Sequence, residues 1–201
     1  MAKRKNNGSV IERAKEILRE EAQAVLNIPV TENIEKAVEA FLECKGKVVT
    51  SGMGKAGNIA RKIASTLSST GTPSVFLHPG ESEHGDLGMI TKDDILLALS
   101  NSGRTREVLE MIGLARRLGL KTVIAITSHK ESDIRRKSDI VLDIGEIREP
   151  CSLGLTPTAS TTAMLALGDV LALITMEKRG FTKQDYGLRH HGGYLGIKAK
   201  S

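Results

Sequence analysis

KVVTSGMGKAGN, residues 47–58, decides the fold. A β-branched run ends among glycines and passes at once into an amphipathic stretch, the pattern of a buried strand turning into a helix. Downstream the pattern repeats. SVFLH (74–78), DILLALS (94–100), TVIAIT (122–127) and DIVLDI (139–144) read as strands. Between them the spacing predicts helices from about Lys55 to Ser69, from Arg104 to Leu118 with Gly119 closing it, and from Glu131 to Lys137. A long helix then starts with Pro157 at its first position and stops at Gly180. Upstream, residues 9–27 form a helix with Val10, Ile11, Ala14, Ile17 and Leu18 on one stripe, broken by Pro29. Thr31 caps a second helix carrying Ile34, Ala37, Val38, Phe41 and Leu42, which Gly46 ends. Near-continuous apolar strands separated by helices predict an α/β fold: a five-stranded parallel sheet sandwiched by helices, doubly wound, with an N-terminal helical extension.

The 201 residues and 21.6 kDa suit one domain, taken as 9–196 including the helices of 9–45, between a basic flexible tail (1–8) and a short tail (197–201). Hydrophobic residues at 40% exclude a disordered chain, and aromatics at 2% with no Trp argue against base stacking. The net charge of +5 resides in Lys3, Arg4, Lys5, Lys198 and Lys200; without them the body balances its 24 acidic residues. Nucleic acid is therefore not an expected partner. Two cysteines, Cys44 and Cys151, make no disulfide framework and fit a reducing cytoplasm. The run Ala163–Met176 is interrupted by Gly168 and Asp169 and is expected to fall short of a membrane span, and MAKRKNNGSV lacks the apolar run of a signal peptide.

In such a sheet ligands sit outside the carboxyl ends of the strands. The first loop there, SGMGKAG (51–57), places Gly52, Gly54 and Gly57 as G-x-G-x-x-G. The acid that would hold a ribose some 20 residues on is missing, since Phe76, Leu77 and His78 occupy that region. No nicotinamide or flavin cofactor is expected. The glycines then serve a tight turn and close approach to another ligand. The second loop, SNSGRT (100–105), surrounds Gly103 with the hydroxyls of Ser100, Ser102 and Thr105 at a helix start. Free amides, the helix dipole and neutral donors together suit a phosphate, whereas capping alone would need one such residue.

Together with HPGESEHGDLGM (78–89), EPCSLGLTPTASTTA (149–163) and RHHGG (189–193), these loops make residues 10–196 resemble the sugar isomerase (SIS) domain of D-arabinose-5-phosphate isomerases. The resemblance implies aldose–ketose isomerisation of D-ribulose 5-phosphate and D-arabinose 5-phosphate, without a cofactor, feeding 3-deoxy-D-manno-octulosonate and lipopolysaccharide synthesis. It implies a catalytic set of Lys55, Glu107, Glu149 and His190, with Ser51, Gly52, His84, Ser100, Asn101, Ser102 and Thr105 around the phosphosugar. It also implies a homo-oligomer, taken as a tetramer, and a short form without the CBS pair common in such isomerases.

The chemistry asks for such groups on its own terms. Moving a carbonyl between C1 and C2 requires a base, a proton carrier between the oxygens, and a donor or cation for the enediolate. Glu149 is the expected base, because a carboxyl at the sheet's edge is incompletely solvated. His190 serves ring opening or proton transfer, with His191 in reserve because RHHGG has His where relatives have Pro. Arg104 either adds a cation near the phosphate or faces solvent. His78, His84, His190 and His191 match no zinc spacing, and the enediol route needs no metal. Cys151 reads as a small packing residue. Two other functions fit the same loops: a non-catalytic phosphosugar-binding regulator, and an isomerase of a hexulose or heptose phosphate.

Overall fold

The computed structural model describes residues 9–190 together with 192, 194 and 198. His191, the 1–8 tail and most of 197–201 lie outside the described residues. Helices α1 (Val10–Leu26) and α2 (Glu32–Glu43) precede the sheet. β1 (Val48–Gly52), α3 (Gly54–Ser69), β2 (Ser74–Phe76), β3 (Ile95–Leu99), α4 (Arg106–Arg117), β4 (Thr122–Thr127), α5 (Asp133–Lys137) and β5 (Ile140–Asp143) follow. Helices α6 (Ala159–Lys178) and α7 (Lys183–Arg189) close the described fold. The five strands run in the order β2-β1-β3-β4-β5, all parallel, as the apolar runs predict.

Alternation along each strand builds a core on each face. Val48, Leu97, Ile124 and Leu142 join Phe41 of α2, Ile63 and Leu67 of α3, and Met164 and Leu171 of α6. Val49, Leu96, Ala98 and Val123 join Val108 and Met111 of α4 and Ile134 of α5 on the other face. Helices α3 and α4 therefore leave the neighbouring strands β1 and β3 toward opposite faces. That opens a crevice at the carboxyl ends of these two strands.

The glycine triplet after β1 serves the backbone. Gly54 has φ +58, and a Cβ on Gly57 would lie 2.4 Å from the Gly52 carbonyl oxygen, so α3 packs directly on the strand that precedes it. Gly46 departs from its expected role. α2 already ends at Glu43, and Gly46 is needed because a Cβ there would fall 2.1 Å from Asp94 Oδ1. Pro157 also moves: it precedes the cap of α6, which is Thr158, because a carboxylate from the preceding loop takes the amides of Thr158, Ala159 and Ser160. By length and composition α6 is apolar enough to cross a membrane, contrary to the sequence expectation, but half of its apolar window is buried in packing with α1, α2 and α3.

Candidate active site

The loop after β3 forms a closed cradle. Ser100 Oγ and Thr105 Oγ1 stand 2.8 Å apart, and the Gly103 amide donates to Ser100 Oγ at 3.1 Å. Gly103, at φ +61, lies so close to Ser132 and Ile134 that a Cβ would fall 2.4 Å from Ser132 Oγ. The Asn101 carbonyl accepts from the Ser128 and His129 amides, and its buried Oδ1 has no partner. Thr105 is the cap residue of the 12-residue α4, yet its side chain makes no capping bond, and Ser102 Oγ accepts only from the Arg104 amide at 3.3 Å. The first turn of α4 therefore carries no side-chain cap, and the Ser100 and Thr105 hydroxyls bond to each other within the loop.

Lys55 stands exposed in the first turn of α3 and lines a cavity of about 390 Å³ with Gly52, Asn58, Arg61, Phe76 and His78, on the β2 side of β1. The Arg61 guanidinium lies 4.2 Å over the Phe76 ring, which fixes a second cation there. Lys55, Asn58 and Arg61 recur at intervals of three, so the helical period could have revealed that polar face. His78 Nδ1 is buried in the wall with no partner.

Glu149 lies in the loop before α6, a helix that packs against α3. Gly168 meets Ile63 so closely that a Cβ would lie 2.3 Å from Ile63 Cδ1, and Lys62 Nζ pairs with Asp169 Oδ1 at 2.6 Å. Ile63 stands nine residues after Gly54, and Gly168 nine residues after Ala159, so α3 and α6 begin level, side by side. Glu149 Oε2 accepts from the Thr158 amide at 2.8 Å and the Ala159 amide at 2.9 Å. Its Oε1 accepts from the Ser160 hydroxyl and, at 3.3 Å, from the Ser160 amide. Ser160, fully buried, is a residue that sequence reasoning missed. The run of three hydroxyls, Ser160, Thr161 and Thr162, that opens a largely apolar helix was the available signal.

Glu107 is half-buried in the first turn of α4, and His84 is exposed in a 3-10 turn (Ser82–His84) after β2. Glu83, next to His84, and Arg104 line a cavity of about 590 Å³ along α4; Arg104 is exposed, and its Nη2 donates to the Glu131 carbonyl at 3.4 Å. Ser51 departs from the expectation: it is fully buried, and its hydroxyl donates to the Leu77 carbonyl at 2.7 Å rather than facing the crevice. Cys151 is not a packing residue. Half-exposed, its Sγ accepts from the Thr156 and Leu155 amides at 3.3 Å each, and these amides hold the thiol down to about 7. Among the described residues no group of three His, Cys, Asp or Glu side chains is disposed to hold a metal.

His190 is not brought to the crevice of its own chain. Arg189 lies 4.9 Å over the Phe181 ring, and a Cβ on Gly71 would lie 2.6 Å from that same ring. Gly71 joins α3 to the start of β2, at the amino edge of the sheet. His190 stacks on Tyr186 at 3.9 Å and its Nδ1 donates to the Tyr186 carbonyl at 3.0 Å.

The Ser100–Thr105 loop after β3 and the Lys55 cavity after β1 both lie at the carboxyl ends of the strands of a doubly wound α/β sandwich. Comparison with known proteins narrows the class: the SIS domain model matches residues 41–174, and the chain belongs to the SIS domain family. It is 52% identical over 161 residues to the arabinose 5-phosphate isomerase KdsD of Pseudomonas aeruginosa, covering 80% of this chain and 49% of that one. The Escherichia coli K12 KdsD is 48% identical over 178 residues, 89% of this chain and 54% of that one. The chain thus spans about half the length of the curated relatives it matches. Among solved structures, a Bacteroides fragilis candidate phosphosugar isomerase involved in capsule formation superposes with TM-score 0.90 at 54% identity, over 92% of this chain and 100% of that one. An E. coli CFT073 protein in complex with arabinose 5-phosphate superposes with TM-score 0.86 at 39% identity, over 92% of this chain and 99% of that one.

Proposed function

We propose that the chain is an aldose–ketose isomerase interconverting D-ribulose 5-phosphate and D-arabinose 5-phosphate through an enediol. The product feeds synthesis of 3-deoxy-D-manno-octulosonate and lipopolysaccharide, in the cytoplasm. The observation that carries this reading is the start of α4, which no side chain caps and where the Ser100 and Thr105 hydroxyls pair, with Lys55 in the first turn of α3 and Glu149 at the start of α6. The names of the KdsD relatives and the neighbour's arabinose 5-phosphate complex favour the pentose over a hexulose or heptose phosphate.

In this scheme Ser100, Ser102, Thr105 and the α4 amides hold the phosphate, and Asn101, Gly52 and His84 border the sugar. Glu149 takes the proton from C1 of the ketose and returns it to C2. Lys55 stabilises the enediolate oxygens. Glu107 and His190 move the proton between O1 and O2. The protein acts as a homotetramer: Val10, Ile11 and Leu18 of α1, between 66% and 87% exposed, offer an apolar face to a second copy. His190 then reaches the crevice of a neighbour.

NMR of the protein with ribulose 5-phosphate, beside hexulose and heptulose phosphates, tests the reading. Turnover of the pentulose is expected, with a loss of about a hundredfold or more in Glu149→Gln, the scale of a lost general base. Binding of all three sugars without turnover would make the chain a phosphosugar sensor. Near-normal rates in Glu149→Gln would pass the base role to Glu107.

A further inference from the structure

The loop that carries Glu149 spans residues 144–158 without helix or strand, so something must fix it before a carboxylate on it can act. One tie is the set of donors at the start of α6 described above. The second comes from outside the sheet. Arg13 of α1 has a side chain only 18% exposed, and its Nη2 donates to the carbonyl of Pro150, the residue directly after Glu149. The same guanidinium is held in place by its own helix: Nη1 donates to Glu16 Oε2 at 2.9 Å and to Glu20 Oε1 at 3.3 Å. Two turns on, Glu21 of α1 accepts from Thr162 Oγ1 of α6 at 3.3 Å. Pro150 is buried and has no N–H to offer, so its carbonyl is the backbone handle available at that point.

We infer that Arg13 is a positioning residue for Glu149. Helix α1, which precedes the residues matched by the family model, thereby completes the catalytic loop as well as offering an apolar outer face. The guanidinium suits the task because its planar fork serves two carboxylates on one arm while presenting the other arm to the carbonyl; a lysine ammonium has no second arm. Substrate is held elsewhere, at the start of α4, so a misplaced Glu149 slows proton transfer without loosening the phosphate. This inference rests on the isomerase reading with Glu149 as base.

The test is steady-state kinetics with ribulose 5-phosphate on the full chain, with melting temperatures recorded in parallel. Arg13→Met keeps the aliphatic stem and removes every donor. It is expected to lower kcat about tenfold or more with KM within about twofold, as a displaced base requires. Arg13→Lys should recover part of that loss, and Lys15→Met, which breaks an exposed pair with Glu12 on the same helix, should leave both constants unchanged. In a Glu149→Gln background Arg13→Met should have no further effect on kcat, because the group it positions is gone; proportional losses in both backgrounds would mark a merely structural role. Should Arg13→Met not fold, Arg13→Lys decides: a kcat about threefold below wild type supports the inference by the same fork argument. Wild-type kcat in either variant overturns it. An active wild type with an active Glu149→Gln removes the base assignment and this inference together, and a wild type inert toward the pentulose removes the functional reading itself.

Discussion

Cys151 lies two residues from Glu149, and its surroundings decide its chemistry. Amides of Thr156 and Leu155 point at the sulfur and favour the thiolate, so the thiol titrates at about 7. Cys44 is the opposite case: burial pushes its thiol up. A lowered thiol is deprotonated above its midpoint, so alkylation of Cys151 by iodoacetamide should rise through about pH 7, while Cys44 should stay slow across the neutral range. Mass spectrometry of the two peptides after timed labelling reads this directly, and equal labelling of both cysteines would refute it. The sequence did not announce this thiol, because its donors lie four and five residues on, in a turn no periodicity describes. Glu149 was legible as a site residue through its motif. Its four donors at the start of α6 were not, since they sit nine to eleven residues away and exist only once the loop folds back. Ser51 shows the reverse error. The family resemblance put it beside the phosphosugar, but the carbonyl of Leu77, just after β2, takes its hydroxyl.

At the level of elements, strands and helices could be read because each carries its own period, and their boundaries moved where a distant partner intervened. Asp94 is the clearest such partner. It enters β3 almost fully buried, accepts from the amides of Thr91 and Lys47, and pairs with Lys47 Nζ at 2.8 Å, so one carboxylate joins the starts of β1 and β3. Burial alone would push this carboxyl up. Lys47 and the two amides outweigh burial and hold it below the usual carboxylate value. A depressed carboxyl stabilises the fold above its unfolded value of 3.8, and that stability is lost as pH falls through the lower folded value. Asp94→Asn turns an amide N–H toward the Thr91 amide and removes the ion pair. With Lys47 partly solvated, a loss of about 2 kcal/mol at pH 7 is expected. Urea unfolding should show the difference between wild type and variant constant from pH 7 to about 5 and narrowing below about 4. A difference that stays constant down to about pH 2 would mean that the carboxylate is not the source.

The architecture as a whole leaves one member of the proposed catalytic set out of place. Lys55 and Glu107 lie in the first turns of α3 and α4, at the carboxyl edge of the sheet, and Glu149 accepts from the first amides of α6. His190 follows α7 at the amino edge, through Arg189 on Phe181 and Phe181 on Gly71. Five-residue strands separate the two edges by about 16 Å, too far for a side chain to span. Either His190 plays no part or it serves another copy, and the two cases give opposite results in a mixing experiment. Glu149→Gln and His190→Ala chains, each expected to be inactive, are unfolded together and refolded at equal amounts. If His190 acts across an interface, a site formed by a His190→Ala chain and a Glu149→Gln neighbour contains one intact copy of each residue. Random assembly produces such sites at about a quarter of the total, so activity should return to about a quarter of wild type. If His190 works within its own chain, every site lacks one group and the mixture stays inert. If His190 is dispensable, the single variant is already active before mixing. Light scattering on the same samples supplies the companion readout, because an active monomer would exclude exchange of the histidine between copies.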